Sequence, residues 1–367
     1  MSAGDASQEG TPHVEPGPQA GQGAQAGQGP PVKHGPPVKP VRGRGPSVVT
    51  RLMETRYLGW IGLAIALGAP LIIATPYALN VMTSAAIFVM LAVGLNIVVG
   101  YCGLLDLGYA AFFAVGAYTG GVMAAELDIP LIATVPAVLV VTVVAGIVIG
   151  APTLRLRSDY LAIVTLGFGE IIRICATNLE ITGGPSGIYG IPGLFGDDVL
   201  TEPAAFYYLT VLIVAVAVLL AARLGRSRLG RAWRFVREDE DAAEAMGVHT
   251  YKVKLAAYIG GAVWGGMAGV LFAAHLTAIS PPSFTFLWSA LVLMAVVLGG
   301  MGSTPGVVVG AVFISLAPEL LRDLADYRFF VFGVLLILVM IVRPQGLWPH
   351  RSQETARTAA RSKEPVA

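Results

Sequence analysis

The feature that most constrains this chain is a long stretch with almost no charge. Between residues 57 and 154 only three side chains are charged, namely Asp106, Glu126 and Asp128. The whole chain of 367 residues is 55% hydrophobic and 13% charged, whereas an average soluble domain carries roughly 25% charged residues. A soluble core cannot bury so much apolar sequence and leave so few charges for its surface. The sequence therefore predicts an all-α, polytopic integral membrane protein.

Ten apolar segments approach the length of a membrane-spanning helix, which is about 20 residues. Their predicted positions are 57–75, 81–99, 104–125, 131–153, 160–176, 206–222, 255–275, 286–301, 306–321 and 329–342. The predicted transmembrane domain thus covers residues 57–342.

Lysine and arginine lie in four segments between these helices. The chain through Arg56 has six, 155–157 has two, 223–254 has eight and 343–367 has five, which makes 21 of the 24 in the chain. Ten helices place all four segments on one side, and loops rich in positive charge stay in the cytoplasm. The segment 178–205 contains four acidic residues and no Lys or Arg. We expect this segment to be an external loop and both termini to be cytoplasmic.

The two terminal segments lie outside the transmembrane domain. The first 50 residues hold nine of the 24 prolines and ten of the 45 glycines, so the basic segment 1–56 is predicted to be a disordered cytoplasmic tail. The apolar run that follows is too long for a cleaved signal peptide. Residues 343–367 are predicted to form a second cytoplasmic tail.

The polar segment 223–254 begins with basic residues and continues with acidic ones. Arg228, Arg231, Arg234 and Trp233 suit the headgroup level of a membrane. Residues 238–246 then predict a short helix with acidic residues in its first turn and a glycine at its end.

The spacing within this short helix is informative. Asp241, Ala242, Ala243 and Glu244 are followed by Gly247. This pattern resembles the EAA loop, by which permeases of ABC transporters dock a short helix into a groove of the ATP-binding subunit. It departs from that loop in its leading Asp and in lacking a downstream Leu-Pro. The resemblance implies that 223–254 is a cytoplasmic coupling loop.

Several longer blocks extend the resemblance over residues 57–348. They are LRLRSDYLAIVTLGFGEIIR at 154–173, ITGGPSG at 181–187, GLNIVVGYCGLLDLGYAAFFAVGAYT at 94–119, LGRAW at 229–233, SPPSFTF at 280–286, VLGGMGS at 297–303 and RPQGL at 343–347. In order and spacing they are similar to LivM-type permeases of branched-chain amino acid ABC importers. Ser158 and Asp106 depart from the usual pattern. Related urea-importer permeases share the fold, but DYLAIVTLGFGE favours the amino acid branch.

The resemblance implies a multi-subunit importer in a bacterial-type cytoplasmic membrane. Its expected partners are a second, homologous permease chain, two ATP-binding subunits and an external amino acid-binding protein. The chain has no Gly-Lys dipeptide, hence no phosphate-binding loop of the G-x-x-x-x-G-K-[ST] type. We expect a transport subunit rather than an enzyme, with ATP hydrolysis in a partner. Two cysteines and five histidines predict no metal site, and no cofactor or nucleic-acid partner is indicated.

Two charged residues within the fifth span are candidates for the transport pathway. Glu170 lies about ten residues into that span, roughly 15 Å deep at 1.5 Å per residue and thus near the membrane midplane. Arg173 follows one helical turn later and can pair with it. The pair either fixes helix packing or lines the route of a zwitterionic substrate.

The glycine-rich stretch 100–121 allows two interpretations. It either packs closely against other helices through small residues, or contains a break at which Asp106 and exposed backbone border a cavity. Asn96, just before it, could supply an amide. If the protein were instead a stand-alone secondary transporter, Glu170 and Asp106 would be its ion or proton sites. A purely structural scaffold is disfavoured by these charges within the membrane.

The predicted external loop contains many turn-forming residues. Thr182, Gly183, Gly184, Pro185 and Ser186 give it a defined shape. It is either a solvated connector or the surface on which a binding protein docks to deliver substrate.

Overall fold

The computed structural model describes residues 75–156, 158–196 and 202–320, together with positions 62, 66–68, 70, 330, 333, 334 and 337. All of them belong to one unit of the chain, Val49–Ala367. The predicted tails and most of the first and last predicted spans lie outside the described residues.

Ten α-helices and one π-helical segment make up most of the described chain. The α-helices are α1 Pro76–Leu95, α2 Ala110–Leu127, α3 Leu131–Thr153, α4 Ser158–Asn178, α5 Pro203–Arg226, α6 Arg228–Glu238, α7 Glu240–Ala245, α8 Thr250–Leu276, α9 Phe286–Gly299 and α10 Thr304–Leu320, and the π-helical segment Asn96–Tyr101 continues α1. Three 3₁₀ turns lie at Glu180–Thr182, Gly184–Ser186 and Pro281–Phe284. Two short antiparallel strands, β1 Ile188–Tyr189 and β2 Ala278–Ile279, join the loop before α5 to the end of α8.

Local sequence signals set several helix ends. At the start of α1 the Thr75 hydroxyl accepts a hydrogen bond from the backbone N–H of Ala78, and Pro76 occupies the first helical position. Pro203 likewise begins α5. At the end of α2, Asp128 adopts a left-handed conformation with φ of 48°, which stops the helix.

Seven helical segments of the described chain are long and apolar enough to cross a membrane, and α10 is apolar but shorter. They match the eight middle spans of the ten predicted, so the all-α membrane fold is confirmed while the count of ten is not. The agreement is closest for α3, whose bounds equal the predicted 131–153.

The helices divide into a buried centre and a periphery. Most residues of α1, α2 and α8 are buried inside the protein, whereas most of α3, α4 and α5 are not. On α3 the exposed side chains include Val140, Val144 and Val148. Since they are apolar and one or two turns apart, they form a surface suited to lipid.

Glycines allow α2 and α8 to pack backbone against backbone. A Cβ atom on Gly116 would lie 2.1 Å from the carbonyl oxygen of Gly266. A Cβ atom on Gly269 would lie 2.3 Å from the carbonyl oxygen of Phe113. Small residues let membrane helices approach this closely, and the packing interpretation is confirmed for these positions.

One predicted span begins several residues before the corresponding helix of the structure. The helix predicted for 104–125 starts at Ala110, and residues 102–109 are not helical. We call residues 102–109 the helix break. Hydropathy does not reveal it, because most of these residues are apolar and the groups that hold it come from distant helices.

Candidate functional site

The helix break is held in place by hydroxyl groups of two other helices. The backbone N–H of Leu107 donates to Thr165 Oγ1 of α4 at 3.1 Å, and that of Ala110 donates to Ser289 Oγ of α9 at 2.8 Å. Irregular backbone between membrane helices needs such partners, since lipid offers none. The break is therefore stabilised by specific hydrogen bonds to neighbouring helices. The π-helical segment before it is of a type often found at functional sites.

Asn96 and Asp106 are both buried within the protein. Asp106 Oδ1 accepts a hydrogen bond from the Gly108 N–H at 2.8 Å, which fixes the turn that leads into α2. Asn96 Oδ1 accepts one from the Gly302 N–H at 2.9 Å, which ties the π-helical segment to the turn between α9 and α10. Neither side chain lines the pocket described next, so both shape the break rather than the pocket wall.

A pocket of about 160 Å³ lies beside the helix break. Its wall is mostly apolar, with one carboxylate and one hydroxyl group, and consists of Leu107, Ala110, Leu166, Gly169, Glu170, Phe284, Phe286 and Ser289. An apolar cavity of about 150 Å³ holds a molecule the size of benzene. The pocket can therefore accept a branched aliphatic side chain.

The Glu170 carboxylate of this pocket is paired with Arg173. Arg173 Nε lies 2.9 and 3.0 Å from the two carboxylate oxygens, and a terminal guanidinium nitrogen contacts Oε1. The Glu170 side chain is 43% exposed and that of Arg173 29% exposed. The pair thus sits on a face of α4 that the described part of the chain leaves partly open. Its i, i+3 spacing is the one expected from the sequence.

The helix α6 packs against the end of the π-helical segment. Trp233 does not face lipid headgroups as expected, because this side chain is completely buried within the protein. Its ring stacks on Tyr101 with a centroid distance of 6.4 Å, and its Nε1 donates to the carbonyl of Val253 at 2.8 Å. Arg228 and Arg231 on the same helix are exposed.

The Arg237 guanidinium at the end of α6 donates a hydrogen bond to the carbonyl oxygen of Gly100. Burial lowers the pKa of this guanidinium, and the charge of Glu238 acts in the opposite direction. Arginine stays charged in proteins, so a cation rests against the end of the π-helical segment.

The short helix predicted at 238–246 has fewer residues in the structure, where α7 spans Glu240–Ala245. Asp239 caps it, with its carboxylate accepting from the Ala242 N–H at 2.9 Å. Ala243 is fully buried within this chain, so its small size serves internal packing. Asp241, Glu244 and Gly247 are exposed, as is Met246 at 77%.

The loop after α4 is shaped by internal bonds. The Thr182 hydroxyl contacts the carbonyl oxygens of Ala176 and Leu179 at 2.7 Å, so it closes the end of α4 and is buried. Gly183, Pro185 and Ser186 are exposed and Gly184 is partly so. Large apolar side chains are exposed beside them, namely Leu179, Ile181 and Tyr189.

Sequence reasoning missed the polar groups that assemble the site. Thr165 and Ser289 hold the helix break, and Arg237 contacts the segment before it. The available signal was a hydroxyl residue within a predicted span, but such residues usually bond to their own helix, as Thr165 also does to the carbonyl of Ala162. Within the described ranges no three His, Cys, Asp or Glu side chains group as a metal site.

Comparisons with known proteins show which chains this one is similar to. Residues 77–340 match the family model described as branched-chain amino acid transport system / permease component. The chain is 42% identical over 312 residues to the high-affinity branched-chain amino acid transport system permease protein LivM of Salmonella typhimurium, covering 78% of this chain and 73% of that protein. It is also 42% identical over 295 residues to LivM of Escherichia coli, covering 74% and 69% of the two chains.

A more distant similarity links the chain to a second permease protein of a similarly named system. It is 25% identical over 293 residues to LivH of Escherichia coli, covering 73% of this chain and 93% of LivH. No solved structure matches the chain. These matches are to transport permeases, and none supports a stand-alone secondary transporter.

Proposed function

This chain belongs to the family of branched-chain amino acid transport permease components, and from that premise we propose how it carries substrate. It is a multi-pass membrane permease and not an enzyme. In our proposal it forms one half of a pathway through which an ATP-driven importer moves branched-chain amino acids across a bacterial-type cytoplasmic membrane. The observation that carries the proposal is the pocket at the helix break with Glu170 on its wall.

The chemistry of this pocket fits an aliphatic zwitterion. Leu107, Leu166 and Phe284 supply apolar contacts for a branched side chain. The Glu170 carboxylate suits an ammonium group, and the Arg173 guanidinium beside it suits a carboxylate. Since the two charges already neutralise each other, a passing substrate can exchange partners with them and leave no charge isolated in a region of low dielectric.

A second permease chain is inferred from the exposure of this pair. Charged side chains on a membrane helix face protein or water and not hydrocarbon. Glu170 and Arg173 lie on a face of α4 that the described residues leave partly open. A homologous permease, as LivH is to LivM, would cover that face and complete the pathway between the two chains.

The ATP-binding subunits are proposed to dock on α7. Its exposed face presents Asp241, Glu244 and Met246. Methionine adapts its shape to a partner surface, and the chain turns sharply after α7 at Gly247, with φ of 82°. Because this chain has no phosphate-binding loop, the energy for transport must come from that partner.

An external amino acid-binding protein is proposed to dock on the loop that follows α4. Exposed Ile181 and Tyr189 provide apolar contact area beside the turn at Pro185. This loop and α7 lie at opposite ends of α5 along the chain. The distribution of Lys and Arg supports a cytoplasmic location for α7 and both termini.

The proposed function is tested by reconstitution. This chain, a homologous permease and the ATP-binding subunits are purified as a complex and placed in proteoliposomes, with the binding protein and radiolabelled leucine on the opposite side from ATP. We expect leucine accumulation that requires both ATP and the binding protein. Uptake by this chain alone, driven by a proton gradient, would contradict the proposal.

Orientation and docking are tested together by cysteine labelling. In a Cys175→Ser background, Ser186→Cys should react with an impermeant maleimide in intact cells or spheroplasts, and substrate-loaded binding protein should slow the reaction. Glu244→Cys should react only after the membrane is permeabilised. The reverse pattern would invert the topology, and labelling of Ser186→Cys that the binding protein leaves unchanged would remove the docking surface.

A further inference from the structure

We propose that Arg237 is the positioning residue that transmits movement of the α6–α7 segment to the helix break, and through it to the pocket. The proposal rests on the proposed function, since it assumes that ATP-binding subunits move this segment. It assigns to one side chain the connection between the energy source and the substrate route.

Arg237 fills a slot that glycines leave open. Its guanidinium donates to the Gly100 carbonyl oxygen, in the last turn of the π-helical segment. A Cβ atom on Gly103 would lie 2.7 Å from Arg237 Cγ, and one on Gly302 would lie 3.2 Å from its Nη1. The side chain is thus wedged between the first residues of the helix break and the turn between α9 and α10.

The hydrogen bond from Arg237 to the Gly100 carbonyl oxygen is of a strong type. Carbonyl groups in the last turn of a helix lack partners within the helix, and a cation there also interacts favourably with the helix dipole. Hydrogen bonds from a charged donor are stronger than those between neutral groups. A displacement of α6 will therefore pull on the Gly100 carbonyl rather than slide past it.

Trp233 provides a second contact one turn earlier on α6. Its ring stacks on Tyr101, and the Tyr101 hydroxyl bonds to the Thr304 hydroxyl at 2.6 Å at the start of α10. Trp233 also bonds to α8, which positions α6 on the bundle. Arg237 is two residues before Asp239, the cap of α7, so of the two contacts it lies nearer to the proposed docking helix.

From Gly100 the chain leads directly into the site. Residues 102–109 follow at once, and Leu107 and Ala110 belong to the pocket wall. The hydroxyl groups of Thr165 and Ser289 connect the same backbone to α4 and α9. A shift of the Gly100 carbonyl thus reaches a backbone segment that forms part of the pocket.

Arg234 on the same helix offers a matched control. It also bonds to a backbone carbonyl, that of Gly225 at 2.8 Å. Gly225 belongs to α5, so this bond joins neighbouring helices and does not touch the helix break. Removing it tests the loss of an arginine–carbonyl bond without the proposed connection.

The experiment compares Arg237→Met, Arg237→Lys and Arg234→Met in the reconstituted complex, measuring ATP hydrolysis and leucine uptake together. We expect Arg237→Met to retain ATP hydrolysis within about twofold. Uptake per ATP should fall by about tenfold, the factor expected for one charge-assisted hydrogen bond. Arg237→Lys should recover part of the ratio, and Arg234→Met should keep it.

An unchanged ratio in assembled Arg237→Met complex would overturn the inference, even if less complex forms, because that is the result of a purely structural role. If Arg237→Met does not assemble, the ratio of Arg237→Lys decides: a reduced value supports the connection and a wild-type value overturns it. Failure of the wild-type complex to transport would instead overturn the proposed function.

Discussion

Changing the exposed face of α7 with Glu244→Lys and Met246→Asp should abolish ATP-driven leucine uptake. Both side chains are exposed on this chain, and at a docked interface the first change would reverse a charge and the second would replace an apolar contact with a charge. A lysine near the end of α7 suits the helix dipole, so the helix itself should persist. We expect the ATP-binding subunits to be lost on purification and uptake to fall by about a hundredfold or more.

The control for this change is Glu126→Lys. Glu126 is exposed and is the second-last residue of α2, as Glu244 is the second-last of α7. The same charge reversal in the same helical position should leave assembly and uptake at wild-type levels. ATP-binding subunits that still copurify in full with the α7 variant would remove this face from the interface.

The structure also shows why Ala243 is unsuited to such a test. The EAA-like pattern suggests that its small size lets the partner approach, but Ala243 is buried against its own chain. Lys254 of α8 pairs with Glu240 nearby and holds α7 in place. A bulky residue at 243 would disturb this packing, and the resulting loss of uptake would say nothing about docking.

Features encoded locally could be predicted from the sequence. The bounds of α3 follow from an uninterrupted apolar run between Pro130 and Arg155. The pairing of Glu170 with Arg173 follows from their spacing on one helix face. In both cases the determining residues are neighbours in the chain.

Features that depend on distant residues could be predicted only in part, since the glycine-rich stretch 100–121 allows a helix break but does not fix its position. Nothing near Leu107 indicates that a hydroxyl 58 residues away will take its N–H and end the helical path. Trp233 fits a membrane interface by its chemistry, and only its contact with Tyr101 places it inside. The break and the contact of α6 with it are therefore tertiary properties of the bundle.

Replacing both members of the ion pair, Glu170→Gln with Arg173→Gln, should leave the complex assembled but reduce leucine uptake by about tenfold or more. Either single change leaves one charge uncompensated in a region of low dielectric, so single variants are damaging whatever the role of the pair. The double change removes both charges and keeps hydrogen-bonding groups of similar reach. It thus separates substrate contact from packing.

The swapped pair, Glu170→Arg with Arg173→Glu, is the matched control. It restores an i, i+3 ion pair on α4, but it puts the cation at the pocket wall where the carboxylate stands now. If the pair only joins helices, the swap should transport normally. If the carboxylate at 170 receives the substrate ammonium group, the swap should assemble and remain inactive. Near-wild-type uptake by the double Gln variant or by the swap would remove Glu170 and Arg173 from the substrate pathway.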